Sequence, residues 1–123
     1  MNIPVTYPLA LLLCENLYDI PTDSLYVNNT LIDTNGRKCN WNREEDYEGF
    51  PMPISAPTIA DVVMWLREKH SIWIEVIVES PNYFGYSVCN IKNNTSQDSD
   101  YVSYNSPTEA YEAAILYTLT NLI

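Results

Sequence analysis

Apolar positions change period within one stretch, Ala56–Glu79 (APTIADVVMWLREKHSIWIEVIVE), and the rest of the chain is arranged around it. Ile59, Val62, Val63 and Leu66 recur at helical spacing. Thr58 is a good N-cap with Asp61 three residues on, and Pro57 blocks extension backwards. Arg67 and Lys69 fall in the last turn, where the helix dipole favours cations. From Ile72 the period drops to two: Ile72, Ile74, Val76 and Val78 point one way, and Trp73, Glu75, Ile77 and Glu79 the other. The pattern predicts a helix leading into a half-buried strand whose aliphatic side sits on the helix. Trp73 and Ile77 make the opposite side less polar than a purely solvated face, so a second layer or a partner is expected there.

Before this stretch, Thr6 and Pro8 open a helix from about Tyr7 to Leu17, with Leu9, Leu12, Leu13 and Leu17 as its buried stripe. Ile20-Pro21 ends that segment, because the residue before proline is biased away from helix. Leu25–Val27 and Thr30–Ile32 read as short strands joined at Asn28-Asn29. Asn35-Gly36 is the strongest turn signal and is expected to join residues 31–33 to residues 37–41 as a hairpin. Residues 42–55 carry an acidic run (Glu44, Glu45, Asp46, Glu48) followed by Gly49, Pro51 and Pro53, and read as a surface linker. Phe50, Met52 and Ile54 alternate within it, as in a segment lying extended along the body.

Beyond the central strand, Ser80-Pro81-Asn82 is a turn, and Tyr83–Ile91 is a second strand with Phe84, Tyr86 and Val88 on one face. Residues 92–100 are polar without periodicity and read as a loop, and residues 101–104 as a short third strand. Ser106-Pro107-Thr108-Glu109 has the cap, the N1 proline and the N3 glutamate of a helix start. The closing helix runs to about Leu122, with Ala110, Ala113, Ala114 and Tyr117 on a close-approach face widened by Ile115, Leu119 and Leu122. The expected fold is α+β: an antiparallel sheet packed with helices in a C-terminal α-β-β-(β)-α unit (residues 56–123), preceded by a helix plus β-hairpin (1–41) and the linker (42–55), all in one domain.

Composition narrows the function. The chain has 123 residues, 46% hydrophobic and 12% aromatic, which is enough apolar material for a real core and excludes general disorder. Its net charge is −10, with six Lys and Arg in all. Phosphate backbones and anionic membrane surfaces need more cations than that, so neither nucleic acid nor membrane is an expected partner. The acidic surface suits a soluble protein, a basic partner or mimicry of a nucleic acid. Cys14, Cys39 and Cys89 are odd in number and lack C-x-x-C spacing, as in a reducing cytoplasm. The apolar run Leu9–Leu13 has no basic flank and is too short for a signal peptide or a span.

The helix–strand–strand–(strand)–helix order resembles, in topology, the double-stranded-RNA-binding fold. That family needs basic residues at the start of its last helix; Glu109 and Glu112 stand there instead, against the RNA function. Two blocks, Ser55–Val76 and Ser106–Ile123, are similar to small uncharacterised proteins of gut Bacteroidales and their phages or mobile elements. Trp65-Leu66-Arg67-Glu68 with His70, Ile72 and Ile74 carries the likeness, together with the closing helix ending in Leu122-Ile123. The resemblance implies a bacterial or phage cytoplasmic protein and no activity.

His70 is the only histidine. It is a candidate general base or metal ligand, though it lacks co-ligands at metal spacing, or else a residue that simply ends its helix near the last carbonyls. Glu75 and Glu79 share a strand face and are candidate acid–base carboxylates, or else solvating residues. Asp98-Ser99-Asp100 lacks the glycine and later glutamate of a calcium loop, so no metal or cofactor is expected. Gly36, Gly49 and Gly85 are isolated and form no phosphate-cradling loop. Trp65, Trp73, Ile77 and Tyr83 are the candidate binding residues, because large rings displaced from the main apolar stripe mark either a second packing layer or a protein contact. Three functions remain: a non-enzymatic accessory protein that binds another, basic protein, which is favoured; a small hydrolase-like enzyme using His70 and a carboxylate; and a homo-oligomer joined through Trp73, Ile77 or an open sheet edge.

Overall fold

A computed structural model describes residues 3–43, 52–99 and 102–123. The fold is α+β, with three α-helices and two small antiparallel sheets of three strands each. The chain divides into two compact units, Asn2–Thr58 and Ile59–Ile123.

In the first unit, α1 spans Tyr7–Glu15 and buries Leu9, Ala10 and Leu13. It ends two residues earlier than its apolar pattern suggests. Leu17 adopts the left-handed conformation (φ 65°) and is exposed rather than part of the buried stripe. The Tyr18 N–H donates to the Leu13 carbonyl at 2.9 Å and the Leu17 N–H to that of Cys14 at 3.1 Å. This is a helix-terminating motif that satisfies two final carbonyls, here built on a leucine instead of the usual glycine. Strands β1 (Ser24–Val27) and β2 (Thr30–Asp33) pair through the Asn28-Asn29 turn, with Val27 opposite Thr30. The Tyr26 hydroxyl donates to the Val5 carbonyl at 2.7 Å and ties this hairpin to the start of the chain.

Two expectations fail in this unit. Asn35-Gly36 does turn the chain, with φ 57° and 91°, but residues 37–41 do not form a strand against β2. Cys39 instead bridges Thr22 on the segment leading into β1, because Thr34 caps the turn toward both Asp23 and Arg37. At the C-terminal end of the expected linker, Pro53–Ser55 forms strand β3 and completes the sheet in the order β2-β1-β3. Ser55 is fully buried: its Oγ accepts from the Trp41 N–H, and its own N–H donates to Asn42 Oδ1 at 2.9 Å. The acidic run Glu44–Glu48 lies outside the described residues.

In the second unit, α2 (Ile59–His70) begins right after Thr58 and buries Ile59, Val62, Val63 and Leu66 as its spacing requires, with Trp65 added. Ser71, at φ 55°, reverses the chain into β4 (Ile72–Ser80). β4 pairs antiparallel with β5 (Tyr83–Asn90), and β5 with β6 (Thr95–Asp98), giving the order β4-β5-β6. The third strand therefore lies in the stretch expected to be a loop. Its side chains are all exposed and leave no hydrophobic period to read, because its place depends on backbone pairing alone. The strand expected at residues 101–104 is reduced, among the described residues, to an isolated bridge between Tyr104 and Phe84.

Helix α3 spans Pro107–Asn121. Ser106 Oγ accepts from the Glu109 N–H at 3.2 Å, and Glu109 Oε2 accepts in return from the Asn105 N–H. Its buried residues are Ala110, Ala114, Ile115, Thr118 and Leu119, so the face is turned by about one position from the expected one; Ala113 and Tyr117 are half-buried. Thr118 is tolerated inside because its hydroxyl donates to the Ala114 carbonyl at 2.8 Å. α2 and α3 pack on the aliphatic side of β4, and α3 also on β5. Their cover falls off along the strand. Ile72 and Ile74 are buried and Val76 is half-buried, but Val78, on the same side, is 69% exposed.

Candidate binding surface

The two faces of the second sheet follow from register. Trp73 lies opposite Cys89, Glu75 opposite Ser87 and Ile77 opposite Gly85. Cys89 and Ser87 in turn oppose Ser96 and Asp98 of β6. All share the face turned away from the aliphatic series. The large side chains come from β4 and small ones stand beside them, so Trp73 and Ile77 project. They are 47% and 41% exposed. Tyr83, at the hairpin end of β5, is also exposed.

Arg67, in the last turn of α2, places its Cζ 3.9 Å from the centre of the Trp73 ring. At that separation the guanidinium is attracted by the ring quadrupole and fixes the indole in an outward pose. Its Nε is buried without a hydrogen-bond partner, as expected for a group pressed against a ring. The tight link between α2 and β4 makes this contact, yet only a helix-dipole role for Arg67 is visible in the sequence. Gly85 is a second feature that sequence alone leaves unexplained. A side chain there would collide with the Glu79 carboxylate and with Ser99 Oγ, 2.9 Å from its Cβ position. Glu79 Oε2 accepts from Ser103 Oγ at 2.8 Å, and Ser99 Oγ accepts from the Tyr86 N–H at 3.1 Å. Glu79 therefore anchors the segment after β6 across a position kept clear by glycine.

Trp65 belongs to the core rather than to this surface. It is 4% exposed, and its ring meets that of His70 edge-on at 4.8 Å. A position beside the main stripe still faces inward when the buried side of the helix is wide.

The three acid–base candidates are not brought together. His70 ends α2 against Trp65, Glu75 stands exposed on the open face, and Glu79 lies near the far end of β4. Ile72 to Glu79 alone spans about 23 Å at strand rise. Burial, then the charges of Lys69 and Lys92, lowers the His70 pKa from 6.5. The imidazole is thus neutral at pH 7. Proton NMR of this single histidine should give a titration midpoint below 6.5. The unfolded chain then binds the proton more readily than the folded one. The associated stability is present above pH 6.5 and is lost as pH falls through the folded pKa.

The three cysteines are half-buried. Burial, with Glu15 adding to it, raises the Cys14 pKa, which disfavours a nucleophilic thiolate. A cleft of about 130 Å³ opens between β5–β6 and α3 beside Val88, Asn90, Gln97 and Tyr117. It is below the size of ordinary ligand sites. Among the described residues no cluster of His, Cys, Asp and Glu could hold a metal, and no helix is long and apolar enough to cross a membrane. Comparison with protein-family models, curated proteins and solved structures gives no match.

Proposed function

We propose that this chain is a non-enzymatic acidic accessory protein that binds a basic protein through the open face of β4-β5-β6. One observation carries this reading: Trp73 and Ile77, flanking Glu75 on β4, both project exposed from the same sheet face, with Trp73 held in place by Arg67. An aromatic anchor with an aliphatic neighbour is the usual centre of a protein contact. Glu75 and Asp98 on the same face, and the net charge of −10, favour a cationic partner. The resemblance of Ser55–Val76 and Ser106–Ile123 to small proteins of Bacteroidales and their mobile elements favours a partner in a bacterial cytoplasm, where such a surface would suit an inhibitor or a mimic of nucleic acid.

The test is capture from bacterial lysate on the immobilised chain, followed by titration of the purified captured protein. The reading expects a basic partner that is released by salt and lost when Trp73→Ala and Ile77→Ala are combined. A partner retained equally by the double variant, or only salt-insensitive acidic partners, would overturn it.

A further inference from the structure

β4 has an open edge as well as an open face, and the edge leads to a different conclusion. The Ile91 N–H donates to the Ser71 carbonyl at 3.0 Å, which continues the β4–β5 ladder. On the other side of β5, Phe84 exchanges both backbone bonds with Tyr104, and the Tyr86 carbonyl accepts from Ser99. Backbone groups alternate sides along a strand. Trp73, Glu75 and Ile77 therefore bond to β5, while Ile74, Val76 and Val78 direct their N–H and C=O groups away from the sheet. Among the described residues no strand pairs with them. Sheets commonly blunt such edges with short strands, lysine or proline. β6, at the opposite edge, is four residues long and wholly polar; β4 is nine residues long and mostly apolar, reading IWIEVIVES, with neither lysine nor proline.

We propose that the occupant of this edge is a second copy of the chain, paired antiparallel about a two-fold axis through Val76 to form a six-stranded sheet. Two features select that copy and that register. Val78 lies on the helix side of β4, where its own helices do not reach. An axis at Val76 puts it beside the partner's Ile74, which is buried under the helices of its own unit, so each chain extends the cover that the other lacks. Charge then fixes the register. With the axis at Val76, Glu75 faces the partner's apolar Ile77. An axis at Glu75 would set that carboxylate against its own copy; like charges directly opposite are unfavourable. This goes beyond the binding of a basic protein, because it uses the edge and the aliphatic side rather than the open face.

Light scattering should give a mass twice the 14.1 kDa of one chain at micromolar concentration. Val76→Pro removes an N–H that makes no bond within the sheet, so it should give a folded monomer that still binds any partner of the Trp73 face. Val76→Cys should form an intermolecular disulfide on mild oxidation, with the native chain oxidised in parallel as reference. The two residues at the axis lie about 5.5 Å apart at their Cα atoms, within disulfide reach. Val78→Cys should not cross-link, since its two copies are offset by about 13 Å along the strands. A native chain that stays monomeric at high concentration would overturn the proposal. So would a dimer that cross-links through residue 78 and not 76, or one that survives Val76→Pro. If Val76→Pro fails to fold, the cross-linking pair decides the matter.

Discussion

Trp65→Ala should cost about 3–5 kcal/mol of folding stability, and Trp73→Ala, eight positions on, no more than about 1 kcal/mol. The two tryptophans look alike in the sequence, both displaced from the obvious stripe. In the fold they differ in kind. Trp65 is 4% exposed and packs its ring edge-on against His70, so truncation removes a large buried surface and leaves a cavity. Trp73 is half in water and gives up little beyond the stacked Arg67. Urea unfolding of both variants measures the difference. Equal losses would mean that Trp73 is also part of a core, and the open face would cease to be a binding surface.

The second large effect lies within β4 itself. Ile72→Ala should lose about 2–5 kcal/mol, the usual range for truncating a buried isoleucine. Val78→Ala, on the same side of the same strand, should lose under about 1 kcal/mol, since surface changes are usually small. Periodicity assigns the two positions to one face and says nothing of how far the helices extend over it. Ile72 is 1% exposed and Val78 69%. The Val78 comparison belongs at concentrations where the chain is monomeric. If Val78 is covered in the dimer, its truncation should become costly as concentration rises, whereas the cost at Ile72 should not.

The change of period between Leu66 and Ile72 was the most legible feature of the chain. It required only that apolar spacing report which side is buried, and both elements are found where it places them. The Ser106–Glu109 helix start was equally readable, because a cap is a local hydrogen bond. What was hidden depended on non-local partners. β6 carries no pattern and β3 shows only the end of a short alternation at Ile54, and each exists because a neighbouring strand offers its backbone. The end of α1 at an exposed Leu17 contradicts the side-chain pattern, since backbone capping decides it. At the candidate surface, Trp73, Ile77 and Tyr83 are exposed as the sequence leads one to expect, while Trp65, which the sequence puts in the same group, is buried. Arg67 and Gly85 carry no surface signal in the sequence: one matters through a contact across the α2–β4 turn, the other through what it leaves room for.

Everything proposed for β4 depends on its being bonded along one edge and open along the other. Residue-resolved amide hydrogen exchange, at a concentration low enough to keep the chain monomeric, tests this directly. Glu75 and Ile77 should exchange slowly, and Val76 and Val78 fast, in strict alternation. Uniform protection of all four in the monomer would show the edge already filled, and both the open strand and the partner assigned to it would be wrong.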